Sequence, residues 1–182
     1  AIVQRFGAAT IEEIETDIER LYEVPQIGRK RVEKIRESWE RQKEIKNVML
    51  FLQSYGVSTA YAAKIYREYG SESIDKVREN PYRLADDIWG IGFKTADGTA
   101  GQMGYGKNDA RRCRSGILYT LGQLSDEGHV YAEREQLVQA ACTLLEADAA
   151  PVCEALERMI LSEELITERE EIYLPVFYHG EC

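Results

Sequence analysis

The first hundred residues contain a divergent internal repeat, and this repeat restricts the possible folds more than any other feature of the chain. Shifting the sequence by 63 residues aligns the first copy with the second, and one additional residue in the second copy raises the shift to 64 beyond Leu21. The aligned segments are Phe6-Gly7 with Tyr69-Gly70, Thr10-Ile11 with Ser73-Ile74, Arg20-Leu21 with Arg83-Leu84, and Ile27-Gly28 with Ile91-Gly92. This part of the chain therefore has to fold as two units of the same design.

Each copy of the repeat is typical of two helices joined by a tight turn. The pattern is a Ser or Thr cap, a short amphipathic helix, an apolar turn with glycine, and a second helix with lysine in its first turn. In the second copy, Gly90 and Gly92 enclose Ile91, and Lys94 and Thr95 follow. Because glycine allows positive φ and the next helix points unpaired N–H groups outward, such a turn can hold an anion. The repeat thus predicts helix-hairpin-helix units that bind phosphate.

A shorter unit of the same kind lies between the two copies. Residues 47–54 and 59–69 have helical patterns, and Ser58 is the expected cap of the second of these helices. Carrying the 63-residue shift backward aligns residues 1–7 with residues 64–70. We therefore expect the chain to open in the last turns of a further unit and to be a fragment of a longer protein.

Backbone amides of the three hairpins are expected to contact DNA phosphates independently of base sequence. The candidate DNA-binding residues are Ile27, Gly28, Arg29 and Lys30 in the first hairpin, Gly56, Val57 and Ser58 in the second, and Gly90, Ile91, Gly92, Lys94 and Thr95 in the third. For any single copy, the alternative is a glycine-capped turn between helices that binds nothing. Three copies in tandem favour phosphate binding, although Gln26 stands where the first hairpin would usually have glycine.

Two aromatic residues, Trp89 and Phe93, flank the third hairpin. An exposed ring could stack there on an unpaired base, which contributes roughly 1–3 kcal/mol per base. The stronger expectation is that Trp89 or Phe93 packs between the two helices of the unit. Packing is also expected of the nearby tyrosines with partly helical spacing, which are Tyr55, Tyr61, Tyr66 and Tyr69.

The net charge of −9 is distributed unevenly along the chain. Residues 1–107 hold 17 basic and 17 acidic side chains, whereas residues 108–182 hold 6 and 15. Residues 29–46, directly after the first hairpin, contain eight basic residues against four glutamates. The acidic total therefore does not exclude nucleic acid as a partner, because the part with the hairpins is neutral and carries a basic stretch.

The acidic part is typical of a small helical domain with a β-ribbon. Apolar residues have helical spacing over 110–124 and 133–145, and Pro151 fits the first turn of a third helix. Two short runs at 165–167 and 172–174 predict a two-stranded wing. The predicted fold is mainly α, with a tandem helix-hairpin-helix DNA-binding region at 1–107 followed by an acidic, winged-helix-like domain at 108–182.

Other candidate sites are weaker. Residues 101–108 nearly match the phosphate loop of nucleotide-binding proteins, but Asn108 replaces the hydroxyl residue that binds Mg²⁺. Asp109 could be the essential carboxylate of a DNA glycosylase, yet helix capping explains it equally. The arginines within 111–114 could touch phosphate or pair with nearby acids. The four cysteines and two histidines lack metal-binding spacing. With the phosphate loop and Asp109 also explained structurally, we expect neither a catalytic centre nor a metal or cofactor in this chain.

Three longer segments resemble a known family. They are NPYRLADDIWGIGFKTADGTA at 80–100, RSGILYTLGQLSDEGHVYAEREQL at 114–137 and EIYLPVFYHGE at 171–181. These segments, and the order of hairpins, linker and helical domain, resemble the N-terminal region of RecD/TraA-type DNA helicases. Those enzymes are superfamily 1B motors related to the alpha subunit of exodeoxyribonuclease V, and the resemblance covers nearly the whole chain.

The resemblance implies a non-catalytic accessory region that grips DNA for a longer ATP-dependent helicase moving 5′ to 3′. ATP and Mg²⁺ would bind the motor domains of that parent protein. The implied partners are single-stranded or forked DNA, in repair or recombination, and the motor domains of the same polypeptide. No apolar run approaches the roughly 20 residues that span a bilayer, so no membrane contact and a cytoplasmic location are expected. The alternative is a protein-interaction scaffold whose hairpins pack on the motor and never reach DNA.

Overall fold

The structure, a computed structural model, describes residues 1–129 and 131–178. It is mainly α-helical with a small antiparallel sheet, which confirms the predicted fold class. Among the cysteines and histidines, Cys182 and His179 lie outside the described residues. Cys113 is buried, Cys142 and Cys153 are half-buried, and these three thiols are free.

The helices alternate with short turns over most of the chain. They are α1 Ile2–Phe6, α2 Thr10–Thr16, α3 Arg29–Ser54, α4 Thr59–Tyr69, α5 Ser73–Glu79, α6 Arg83–Asp87, α7 Phe93–Gln102, α8 Ala110–Asp126, α9 Arg134–Leu145, α10 Ala149–Leu161 and α11 Pro175–Tyr178. Short 3-10 helices cover Gly7–Ala9, Ile18–Glu23 and Gly70–Glu72. The strands are β1 Ala132–Glu133, β2 Ile166–Glu168 and β3 Glu171–Tyr173.

The internal repeat is reproduced in the backbone. Gly7 has φ 55° and ψ −127° after α1, and its counterpart Gly70 has φ 56° and ψ −131° after α4. The Thr10 hydroxyl donates to the Gly7 carbonyl oxygen at 2.7 Å, and the Ser73 hydroxyl donates to that of Gly70 at 2.6 Å. The predicted capping role of Thr10 and Ser73 is wrong, because a hydroxyl that caps a helix N-terminus has to accept from an N–H group. Both hydroxyls instead close the turn before the helix.

The first and second hairpins are connected by one long helix. The segment at 47–54, predicted as a helix of its own, is the end of α3. With 26 residues and about 1.5 Å of rise per residue, α3 is roughly 39 Å long. Its buried residues are Val32 near one end and Val48 and Leu52 near the other. The middle of α3 therefore bridges two packed regions and keeps its charged side chains in solvent.

The two ends of α3 pack into different apolar clusters. At its start, Val32 is buried with Leu21 and Val24 of the first unit. At its end, Val48 and Leu52 belong to a larger core that continues into the C-terminal helices and the sheet. This larger core contains residues from both sides of the predicted domain boundary between residues 107 and 108, and that boundary stays a prediction.

The C-terminal elements follow the order α8, β1, α9, α10, β2, β3, which is the order of a winged helix. The sheet has the spatial order β1-β3-β2, with Ala132 opposite Ile172 and Ile166 opposite Tyr173. The predicted two-stranded wing is therefore incomplete, since β1 adds a third strand. With two residues, β1 is too short to show the alternation that identifies strands in a sequence.

Two kinds of feature are absent from the described part of the chain. Within residues 1–129 and 131–178, no helix is both long and apolar enough to cross a bilayer. The same residues bring together no group of three or more His, Cys, Asp or Glu side chains that could hold a metal ion.

Candidate nucleic-acid interface

The third hairpin is attached to the core by two isoleucines and turns outward between them. Ile88 is 5 % and Ile91 3 % exposed, and the Ile91 N–H donates to the Ile88 carbonyl oxygen at 3.0 Å. Gly90, at φ 90°, makes the reversal that this short bond requires. Trp89, the remaining residue of the turn, is 90 % exposed.

Helix α7 starts directly after this turn and leaves its first amides open. The N–H groups of Thr95 and Ala96 both donate to the Gly92 carbonyl oxygen at 3.1 Å. The amides of Phe93 and Lys94 precede these first helical bonds, so they point out of the helix end as free donors. The positive end of the helix dipole lies at the same place. Such a helix end is suited to an anion, and the contacts predicted for Gly92 and Lys94 stay a prediction.

Lys64 reaches the third hairpin from α4, and it is not among the site residues predicted from the sequence. Its Nζ donates to the Trp89 carbonyl oxygen at 3.2 Å. The same atom lies 5.2 Å from the centre of the Trp89 ring and 5.6 Å from that of Tyr61. Only the position of Lys64 three residues after Tyr61, on an amphipathic helix, could have suggested that it shares a face with that tyrosine. Its contact with Trp89 depends on the packing of α4 against the hairpin.

The second hairpin has the geometry of a glycine helix end. Val57 N–H donates to the Leu52 carbonyl oxygen at 3.1 Å, Gly56 N–H donates to that of Gln53 at 3.0 Å, and Gly56 has φ 78°. Ser58 then caps α4 as predicted, because its Oγ accepts from the Tyr61 N–H at 3.3 Å. These bonds leave the first amides of α4 open, as they are in α7.

Gly56 also permits a close approach between elements. A Cβ at this position would lie 2.6 Å from Gln102 Nε2, at the end of α7. The Gln102 side chain therefore lies against Gly56, and the φ of 78° is what favours glycine at this position. The helix that follows each of these two hairpins thus contacts the other hairpin, and the two hairpins with the starts of α4 and α7 are here called the paired-hairpin surface.

The first hairpin lies apart from that surface. Gly28 begins α3, and the Arg31 N–H donates to its carbonyl oxygen at 2.9 Å, so the amides of Arg29 and Lys30 are open. Gln26 has φ 71°, close to the 90° of its counterpart Gly90, which shows the same turn without glycine. Since α3 separates this hairpin from the second by roughly 39 Å, the three predicted hairpins form a pair and a distant single unit.

Exposure divides the candidate DNA-binding residues into two groups. Those in solvent are Gly28, Arg29, Lys30, Gly56, Ser58, Gly90, Gly92 and Lys94. Ile27 and Thr95 are half-buried, whereas Val57 and Ile91 are buried with 4 % and 3 % exposure. The side chains of Val57 and Ile91 therefore anchor their turns, and only their backbone could face a ligand.

The aromatic residues around the third hairpin have opposite placements. Phe93 is 5 % exposed, and its ring lies 5.4 Å from Tyr119 and 6.3 Å from Tyr82. The expectation of packing is thus confirmed for Phe93. Trp89 is exposed instead, which was the alternative expectation. Packing is also confirmed for Tyr69, which is 8 % exposed and donates to Asp87 at 2.7 Å. Burial, followed by this bond, raises the pKa of Tyr69.

The near phosphate loop at 101–108 is the end of a helix, as expected from the sequence. It follows α7 instead of a strand, Tyr105 N–H donates to the Ala100 carbonyl oxygen at 3.0 Å, and Gly104 has φ 90°. These are the bonds and the conformation of a glycine cap. Lys107 pairs with Glu146 at 2.9 Å, which gives its charge a protein partner.

Acidic partners surround Asp109 and the arginines after it. Asp109 caps α8, because its Oδ1 accepts from the Arg111 N–H at 2.9 Å, and this confirms the structural alternative. The bond from the Arg111 side chain lowers the pKa of Asp109.

The two arginines that follow also have acidic partners. Arg112 pairs with Asp97 at 2.7 Å. Arg114 pairs with Asp86 and Glu164 at 3.0 and 2.6 Å. The arginines within 111–114 were expected either to touch phosphate or to pair with nearby acids, and the structure shows the pairing with acids.

Comparisons with known proteins agree with this geometry. The family model described as "ATP-dependent RecD2 DNA helicase HHH domain" matches residues 41–131, which is half of the chain and includes the paired-hairpin surface. The chain is also 27 % identical over 136 residues to the ATP-dependent RecD2 DNA helicase of Deinococcus radiodurans. That match covers 74 % of this chain and 19 % of the relative, so the chain spans about a fifth of the relative's length. The chain therefore belongs to the family of helix-hairpin-helix domains found in RecD2-type DNA helicases.

Proposed function

We propose that this chain is the accessory region of a RecD/TraA-type, ATP-dependent 5′ to 3′ DNA helicase, and that it grips the DNA backbone through the paired-hairpin surface. The observation that carries the proposal is that open helix-end amides and two lysines occur together on this pair of hairpins. The amides belong to the starts of α4 and α7, and the lysines are Lys64 and Lys94. All of them lie within the segment that the helicase family model matches.

The physical basis of the grip is the attraction of an anion to oriented N–H donors. A phosphate at the start of α7 would accept from the amides of Phe93 and Lys94, with the positive end of the helix dipole behind them. Lys94 is exposed beside this helix end, with its Nζ 6.0 Å from the centre of the Tyr119 ring. Because amides and lysines meet phosphate oxygens and not base edges, binding would be independent of sequence.

The first hairpin and the basic stretch at the start of α3 would add a second grip. Arg29 and Lys30 are exposed at its open helix end, and the basic side chains of residues 29–46 continue along α3. Arg36 has acidic neighbours, since it lies 4.0 Å from Glu19 and 3.8 Å from Glu33. DNA that reached both grips would have to follow α3, because the two lie at opposite ends of this helix.

The chemistry of strand separation belongs, in this proposal, to the rest of the parent protein. ATP and Mg²⁺ would bind the motor domains of the same polypeptide, and this region would hold single-stranded or forked DNA beside them during repair or recombination in the cytoplasm. The chain itself would contribute binding and no catalysis. Consistent with this role, the acids and arginines around Asp109 are paired with one another.

The test is a titration of the 182-residue chain with fluorescently labelled single-stranded and forked DNA at two salt concentrations. Wild type is compared with Lys94→Ala, Lys30→Ala and the double variant. Each lost phosphate contact should weaken binding for all sequences alike and reduce the salt dependence by about one unit of the logarithmic slope. Lys107→Ala is the matched control, because this exposed lysine pairs with Glu146 and should leave the affinity unchanged.

The competing function, a protein scaffold that packs on the motor, predicts a different titration. Binding that is absent, insensitive to salt, or equal in wild type and the double variant would favour it. Such a scaffold would use apolar surface, and Leu161 on α10 and Val176 on α11 are 83 % and 81 % exposed. A salt-dependent loss in the Lys94→Ala variant would exclude the scaffold as the sole role of the hairpins.

A further inference from the structure

Trp89 is the largest side chain that the paired-hairpin surface presents to solvent. It is 90 % exposed, although both of its neighbours in the turn are fixed, Ile88 in the core and Gly90 by its conformation. Phe93, four residues later, shows that the core can take an aromatic ring from this hairpin. The fold therefore leaves the indole outside while it buries the phenyl ring.

Lys64 fixes the position of this exposed indole. Its Nζ donates to the Trp89 carbonyl oxygen at 3.2 Å and lies 5.2 Å from the ring centre. A cation at this distance is attracted to the electron-rich face of an indole. The ring is thus held by its backbone and by one charge, and its 90 % exposure leaves it accessible to a flat partner.

The surroundings of Trp89 indicate the chemistry of that partner. The open amides of Phe93 and Lys94 and the charges of Lys64 and Lys94 attract an anion, whereas the indole attracts a flat, apolar face. A nucleotide offers both, because its base is joined to its phosphate through a single sugar. In duplex DNA the faces of the bases are covered by their neighbours, so only an unpaired base can stack on a side chain.

We propose that Trp89 stacks on an unpaired base of the strand whose phosphate lies at the start of α7. This makes Trp89 a specificity-determining residue that gives the paired-hairpin surface a preference for single-stranded DNA or a fork over closed duplex. The inference rests on the proposed function, since the stacking depends on a backbone grip that brings the strand to the hairpin. Base identity is not read, because every base has a face that can stack.

The test compares two single strands with the same phosphates, an oligodeoxythymidylate and an abasic strand of equal length, together with a closed duplex. The variants are Trp89→Leu, which keeps an apolar side chain without a ring, and Trp89→Phe, which keeps a smaller ring. Loss of one stacked base corresponds to a fall in affinity of roughly tenfold or more. Trp89→Leu should show this fall for oligodeoxythymidylate only, and Trp89→Phe should restore most of it.

A spectroscopic readout is independent of affinity. The chain has two tryptophans, so Trp39→Phe leaves Trp89 as the sole indole fluorophore. Oligodeoxythymidylate should quench its emission at saturation, and the abasic strand should not. Leu161→Ala, which removes another exposed apolar side chain, is the control for nonspecific effects and should leave the affinity for all three DNAs unchanged.

The outcomes separate this inference from the function on which it rests. If wild type binds both single strands equally and Trp89→Leu changes neither affinity, stacking is refuted and the backbone grip stands. If wild type binds none of the three DNAs at low salt, the grip and the stacking fail together. A base-dependent loss in Trp89→Leu, with recovery in Trp89→Phe and quenching of Trp89, supports the proposal.

Discussion

Arg112 on α8 holds the carboxylate of Asp97 on α7 through two hydrogen bonds, from Nε at 2.7 Å and from Nη2 at 2.9 Å. Asp97 also accepts from the Tyr82 hydroxyl at 2.8 Å, and burial, followed by this bond, raises the pKa of that tyrosine. Arg112 further donates to the Leu145 carbonyl oxygen at 2.6 Å. The helix that starts at the third hairpin is thereby tied to α8 and to the end of α9.

Arg112→Ala should therefore destabilise the chain more than loss of an exposed ion pair does. The variant leaves the Asp97 carboxylate, 23 % exposed, without its charged partner, and we expect the free energy of unfolding to fall by about 2 kcal/mol. Arg158→Ala is the matched control, because Arg158 and Glu154 are more than 60 % exposed and such pairs contribute about 0.5 kcal/mol or less. Urea denaturation measures both. Equal losses in the two variants would contradict the bridging role of Arg112.

The turn of the first hairpin should become more stable when Gln26 is replaced by glycine. Gln26 has φ 71°, a conformation that costs a residue with a side chain roughly 1 kcal/mol and that glycine adopts freely. Because glycine also gains freedom in the unfolded chain, the expected net gain for Gln26→Gly is about 0.5 kcal/mol.

The reverse change in the other copy of the repeat, Gly90→Ala, is the natural comparison. It places a side chain at φ 90° and a Cβ 3.2 Å from Lys64 Nζ, so it should destabilise the chain. Thermal denaturation of both variants gives the sign of each effect. A loss of stability in Gln26→Gly would show that its side chain contributes more than its strained backbone costs.

At acidic pH, the free energy of unfolding should depend on the protonation of Asp109. The bond from the Arg111 side chain lowers its pKa in the folded chain below the ordinary value of 3.8. A carboxyl group with a lowered folded pKa stabilises the fold above its unfolded pKa and loses that effect as pH falls through its folded pKa. The contribution should therefore be complete at neutral pH and should disappear below 3.8.

Denaturant titrations of wild type and Asp109→Asn between neutral and strongly acidic pH measure this contribution. The amide still accepts a hydrogen bond as a cap but does not titrate, so the two stability curves should converge at acidic pH. A constant difference over the whole range would show that the carboxylate charge does not contribute. Carboxyl chemical shifts, followed by NMR, would give the pKa of Asp109 directly.

Lys64→Met should weaken DNA binding without a large change in stability. Methionine keeps most of the aliphatic stem but removes both the donor to the Trp89 carbonyl oxygen and the charge over its ring. We expect an affinity for single-stranded DNA that is several-fold lower and a salt slope lower by about one unit. Lys76→Met is the control, since Lys76 on α5 pairs with Glu72 at 2.8 Å. Anisotropy titrations that show equal effects for both lysines would argue against a specific role of Lys64.

Much of the fold was predictable because its determinants are local. The apolar pattern and the turn residues place Gly28 and Gly92 at the starts of α3 and α7, and Ser58 at the start of α4, where the structure has them. Short-range signals of this kind act within one or two turns of helix. They fail where an element is too short for a period, as in β1, or where two helices merge into one, as in α3.

The hairpins of the candidate site could be predicted from the sequence, but the contacts between them and the other elements could not. The repeat and its glycine turns identified the hairpins, but they could not decide whether Trp89 or Phe93 enters the core, because both are large and apolar and lie four residues apart. The decision follows from Tyr82 and Tyr119, which surround Phe93 from other elements. Lys64, 25 positions before Trp89 in the chain, could be found only through the contact itself.

By itself, the sequence determined the repeated helix-hairpin-helix units, the open helix ends and the family to which the chain belongs. Turn chemistry and helix capping are properties of a few neighbouring residues, and no distant contact is needed to set them. The tertiary structure alone decided that the second and third hairpins share a surface, that α3 separates the first from them, and that Trp89 stands in solvent beside Lys64. Those relationships depend on how whole helices pack, which is settled by side chains far apart in the chain.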